Sequence, residues 1–101
     1  AAEMAEGARE KAKVDFALAV SGIAGPNGGS EDKPVGTVAF ALATKDKTYT
    51  QLMFIPRWGR QGIRVVSQYL ALDMLRRELQ GHDVCAEYGM ILRIDSKVIL
   101  K

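Results

Sequence analysis

At 101 residues and 11.0 kDa, with 48% hydrophobic and 26% charged residues, the chain has the composition of a single globular domain. Disorder, collagen and low complexity are excluded. No run of about 18 apolar residues is present and the N-terminus lacks a basic-then-apolar leader, so a membrane partner is not expected and the cytoplasm is the expected location. The net charge of +2 gives no direct signal for nucleic acid. Five arginines stand against Asp73 and Glu78 between residues 57 and 80, and an anionic ligand belongs there first. With Cys85 the only cysteine and His82 the only histidine, neither an intrachain disulfide nor a Cys/His zinc set can be assembled, and no metal or cofactor is expected. The chain opens on Ala1, Ala2 and Glu3 without a methionine and already in helix-forming sequence. It is read as the later part of a longer domain.

Residues 1–13 are dense in Ala, Glu, Lys and Arg, with Met4, Ala5 and Ala8 on one shallow face, which predicts a helix. From Val14 the period changes to two. Val14, Phe16, Leu18 and Val20 alternate with Asp15, Ala17 and Ala19, the pattern of a strand covered on both faces. Residues 21–34 form a loop holding five glycines or prolines after position 24. Alternation returns over residues 36–44, where Val38, Phe40 and Leu42 oppose Thr37, Ala39, Ala41 and Ala43. A polar turn at Lys45, Asp46 and Lys47 then leads into a β-rich segment over residues 48–55, so this pair is a hairpin. Over residues 60–80, Ile63, Val66, Leu70 and Met74 recur at helical spacing beside a second stripe of Val65, Tyr69, Leu72 and Leu79. Gly81 ends that helix. Residues 81–101 form a tail whose Met90, Leu92, Ile94, Val98 and Leu100 place one or two strands around a turn at Asp95 and Ser96. The expected class is α/β, a three-layer α/β/α sandwich with a mixed sheet.

The loop is the segment that folding alone does not account for. It leaves the end of a strand, where open α/β sheets bind their ligands. Gly22, Gly25, Gly28 and Gly29 let backbone amides approach an anion or a developing oxyanion, and Lys33 adds a mobile charge near the Ser21 and Ser30 hydroxyls. The alternative is a long turn whose glycines serve conformation only. Ser21 and Lys33 as nucleophile and base is a further option, but no third group is present to orient them. Trp58 is read as capping the core rather than stacking on a ring, Cys85 as a small packed residue, and His82 as meeting the carbonyls of a helix end. Arg76 and Arg77 are expected to pair with Asp73 and Glu78.

Residues 20–36 contain Ser-Gly-Ile-Ala-Gly-Pro-Asn-Gly-Gly and Lys-Pro-Val-Gly-Thr-Val, which resemble the signature of the CinA C-terminal domain family, the nicotinamide mononucleotide deamidases. The preceding Met-Ala-Glu-Gly-Ala and the arginine-bearing helix after residue 60 are similar to the family's flanking segments, so the resemblance covers residues 3–79. It implies an α/β/α sandwich, commonly oligomeric, that hydrolyses nicotinamide mononucleotide to the acid and ammonia without a metal. It also implies Ser21, Gly22, Ile23, Ala24, Gly25, Gly28, Gly29 and Lys33 as the substrate-binding loop, with Arg60 as a phosphate partner through its guanidinium fork. Ser21 stands where the family has threonine, and Trp58-Gly59 replaces Gly-Asp before the arginine. The family's nucleophilic serine sits in a Glu-Ser-Cys-Thr-Gly-Gly motif that these residues do not contain, so no catalytic residue is assigned within the chain. Two functions follow: part of a nicotinamide-nucleotide amidohydrolase, or an inactive truncated or diverged domain that binds a nucleotide or a protein. A sandwich lacking its first strand and helix is expected to self-associate into a homo-oligomer.

Overall fold

The computed structural model describes residues 1–22, 36–55, 59–86, 88–89 and 91–101, in the order α1 (Ala2–Ala12), β1 (Ala17–Gly22), β2 (Thr37–Ala43), β3 (Lys47–Phe54), α2 (Gly59–Gln80) and β4 (Leu92–Leu100). α1 forms where strong helix formers cluster, with Glu3 in its first turn and Arg9 and Lys11 in its last, the arrangement that complements the helix dipole. It stops at Lys13, which takes a left-handed conformation at φ 55°, while the Lys13 and Val14 amides donate to the carbonyls of Glu10 and Arg9.

The four strands lie in the order β1-β2-β3-β4, and every pairing is antiparallel. β2 divides the sheet's two faces. Val38, Phe40 and Leu42 point to one side, where they join Met53, Ile55, Ile63, Leu70, Met74 and Val84 in the main core. Ala41 and Ala43 point to the other, where they meet Ala19 and Ala5 of α1. Alternating large and small side chains along one strand thus produce a thick layer under α2 and a thin layer under α1. α1 lies against β1, β2 and β3, whereas α2 lies over β1 and β2. The expected α/β/α layering follows from this two-sided burial. The sheet differs in detail, because the described strands contain no parallel pair such as a mixed sheet requires. The physical reason is that β1 to β3 form a meander, while β4 starts beside the end of β3, with Leu92 opposite Phe54, and runs back along it.

Both ends of β2 are held by specific contacts. Between β2 and β3 the Thr44 amide donates to the Lys47 carbonyl at 2.8 Å and the Lys47 amide to Thr44 Oγ1 at 3.0 Å. At the other end Gly36 has φ 101°, and a Cβ there would sit 2.5 Å from the Ile55 carbonyl oxygen. That approach lets the Ile55 amide donate to the Gly36 carbonyl at 2.9 Å.

Of the one or two strands expected in the tail, one is present among the described residues, and it has no turn at Asp95 and Ser96: Asp95 faces Leu52 and Ser96 faces Gln51 inside a continuous β4. A bulge between Leu52 and Met53 leaves Ile94 over as the extra residue, shifting the in-out alternation midway. This shift blurs the period of two in the sequence.

Residues 81–91 are fastened to α2 by a polar network. Gly81 at φ 75° ends the helix, and the His82 amide donates to the Arg77 carbonyl at 2.8 Å, so the expected contact of His82 with terminal carbonyls is made through its backbone. Asp73 accepts from Arg76 at 2.6 Å, from Arg77 Nε at 2.9 Å and from the Tyr88 hydroxyl. Glu78 instead lies beside Tyr49 of β3. Burial pulls the Asp73 carboxyl upward, but the hydrogen bonds from Tyr88, Arg76 and Arg77 outweigh it and hold it at about 2. Burial and the bond to that carboxylate push the Tyr88 hydroxyl up to about 12.

Two predictions follow from this packing. Phe40→Ala, at a side chain 1% exposed, lowers stability by about 3–5 kcal/mol, and Gly36→Ala destabilises because the new Cβ meets the Ile55 carbonyl; urea unfolding followed by circular dichroism measures both. For the tail network, Asp73 is depressed when folded, so its contribution is complete above its ordinary 3.8 and is lost as pH falls through about 2. Tyr88 is raised, so its contribution is complete below 10.0 and is lost as pH rises through about 12. Tyr88→Phe therefore costs about 1 kcal/mol near neutral pH and makes the alkaline fall in stability shallower, measured by urea unfolding at neutral pH and above pH 10.

Candidate functional site

Four segments reach the same end of the sheet. β1 ends there with Ser21 opposite Ala39 and Gly22 opposite Val38. β2 starts there with Gly36 and Thr37, and β3 ends there, with Phe54 opposite Thr37. α2 begins after β3, at Gly59 with φ 64° and Arg60 in its first turn. The register that makes β1 and β2 antiparallel therefore brings the two ends of the glycine loop together as neighbours.

Both loop ends are glycine for a reason of space. A Cβ on Gly22 would come within 3.1 Å of Val38 Cγ2, so a side chain there would require the Val38 side chain to shift. Gly36 performs the same service at the return, against the Ile55 backbone. Ser21 and Gly22 are exposed on β1, with Ser21 on the face shared by Ala19 and Ala39. Of the other expected loop residues, Ile23, Ala24, Gly25, Gly28, Gly29 and Lys33 lie outside the described residues, as does Trp58.

Electrostatically, the first turn of α2 carries no acidic residue. The positive end of a 22-residue helix favours an anion at this end of the sheet. Arg60 lies in that turn, and its side chain, like the loop residues, lies outside what the structure describes.

Other candidates are removed from the chemistry by their surroundings. Burial, with Asp83 nearby, pushes the Cys85 thiol up and disfavours a thiolate, in keeping with its reading as a packed residue. Tyr88 and Asp73 are committed to each other and to Arg76 and Arg77. Among the described residues no group of three or more His, Cys, Asp or Glu side chains is placed to hold a metal ion. No described helix is long and apolar enough to cross a membrane. Sequence reasoning missed two features. One is the positive φ of Gly36, whose signal was a glycine directly before an alternating strand. The other is the Tyr88 anchor, which has no periodic signal because it joins residues 15 apart.

Comparison with known proteins gives the same assignment over most of the chain. Residues 1–79 match the model of the CinA C-terminal domain. A CinA-like protein of Shewanella amazonensis is 58% identical over 91 residues, 90% of this chain and 22% of that protein. A protein of Shewanella oneidensis named nicotinamide-nucleotide amidohydrolase PncC is 56% identical over 91 residues, again 90% of this chain and 22% of its own length. The chain thus spans only about a fifth of these relatives. Among solved structures, a competence-damaged protein (CinA) superfamily protein of Escherichia coli superposes with a TM-score of 0.70 at 37% identity, covering 77% of this chain and 45% of that one. A competence/damage inducible protein of Agrobacterium tumefaciens gives 0.69 at 41% identity, covering 73% of this chain and 46% of that one. By sequence and by fold, the chain belongs to the CinA C-terminal domain family.

Proposed function

We propose that the chain is part of an amidohydrolase that converts nicotinamide mononucleotide to nicotinic acid mononucleotide and ammonia, acting in the cytoplasm as a homo-oligomer. The observation that carries this reading is the 56% identity to the relative named nicotinamide-nucleotide amidohydrolase. The geometry supports it with a strand end suited to an anion, bounded by Gly22, Gly36 and the start of α2. In this reading the backbone from Ser21 through Gly25, with Gly28 and Gly29, cradles the nucleotide. Lys33 adds charge and Arg60 forks onto the phosphate. These groups bind and orient; the nucleophile comes from the family's serine motif, outside these residues. Exposed apolar side chains on α2 and β4 support self-association.

Calorimetry of the 101-residue chain with nicotinamide mononucleotide is expected to show binding, weakened about tenfold or more by Arg60→Ala. A form extended by the family's serine motif is expected to release ammonia from the same nucleotide, and Lys33→Ala to slow that release. An extended form that folds but binds without releasing ammonia overturns the amidohydrolase reading in favour of a nucleotide-binding module. Absence of binding by either form overturns both.

A further inference from the structure

β4 is an edge strand of nine residues, and among the described residues no strand lies on its far side. No described strand takes up the outer backbone groups of residues 95–100, and Leu92, Ile94, Val98, Ile99 and Leu100 are all exposed. Natural edges are usually protected by charge. This one carries charge of both signs, in an order that complements itself.

The strand reads Leu-Arg-Ile-Asp-Ser-Lys-Val-Ile-Leu. Laid antiparallel on a second copy with Ser96 on the two-fold axis, it sets Asp95 opposite Lys97 of the other copy, twice by symmetry, and Ile94 opposite Val98. Asp95 and Lys97 share one face of the strand, the one they share with Leu52 and Thr50 of β3, so a directly opposed pair is within reach across the new ladder. Within one chain the same two groups stand 3.9 Å apart, at exposed side chains. The bulge at Ile94 bounds the match, because it turns the strand beyond that point. β1, the other edge, offers no such match: its Ala-Leu-Ala-Val-Ser-Gly has no charge to set a register. The exposed Val65, Tyr69 and Leu72 stripe of α2 has nothing on its surface that selects an occupant.

We propose that two copies of this chain join edge to edge through β4, antiparallel about Ser96, so that two four-stranded sheets become one of eight. The proposal rests on the self-association reading above and names its surface. The interface is isologous, as a closed dimer requires. It lies on the edge of the sheet away from β1, the strand that carries Ser21 and Gly22.

Sedimentation of the chain in the micromolar range is expected to give twice its 11.0 kDa mass. Asp95→Lys or Lys97→Asp alone places like charges opposite each other and weakens the dimer about tenfold, while the exchange of both, Asp95→Lys with Lys97→Asp, restores it. Circular dichroism confirms that each variant folds. In a Cys85→Ser background, Ser96→Cys is expected to form an intermolecular disulfide under mild oxidation, and Tyr69→Cys on α2 is not. A folded chain that stays monomeric overturns both this proposal and the self-association reading. A dimer indifferent to charge reversal, or cross-linked through Tyr69→Cys and not Ser96→Cys, overturns the β4 interface alone.

Discussion

Burial of β2 on both faces is the constraint on which the rest of the molecule depends. Phe40, Leu42 and Val38 fill the space under α2, while Ala41 and Ala43 leave room for α1 to lie close through Ala5. Exchanging the two sets along the strand would put cavities on one side and clashes on the other. Because β2 is central, its register fixes where β1 ends and where β3 ends. The positions of Gly22 and Gly36 are therefore a consequence of core packing. Gly22 and Gly36 let the backbone pass where a Cβ would touch Val38 or Ile55.

The two ends of the chain are attached by different physics. α1 is held by small apolar contacts and by helix-forming sequence. The tail after α2 is held by Val84 in the core and by a charged network centred on Asp73, which accepts from Arg76, Arg77 and Tyr88. That network sits partly in water, so it contributes specificity of placement more than bulk stability. It fixes where residue 91 emerges, and with it the line along which β4 joins β3. The Lys101 amide, donating to the Asp46 carbonyl at 3.0 Å, ties the far end of β4 to the β2–β3 turn. Between these ties β4 gains a ladder on one side, interrupted at Ile94, with no described strand on the other.

Local periodicity determined most of the architecture. The helix over residues 1–13, the alternation around β1 and β2, the hairpin turn at residues 45–47 and the long helix ending at Gly81 all appear in the sequence because each depends on neighbours within a few residues. The family motif was legible too, and the strand before it ends at Gly22, two residues later than expected, because Ser21 and Gly22 still pair with Ala39 and Val38. Three things were decided only by tertiary structure. The all-antiparallel pairing of the described strands depends on which edges lie side by side, and no local pattern encodes that. β4 is one strand because the open edge of β3 pairs residue by residue through Asp95 and Ser96, a pairing strong enough to override a turn-prone dipeptide. The second apolar stripe of α2 faces outward because the first already fills the core over β1 and β2, and which stripe of a helix is buried is settled only by the surface it meets.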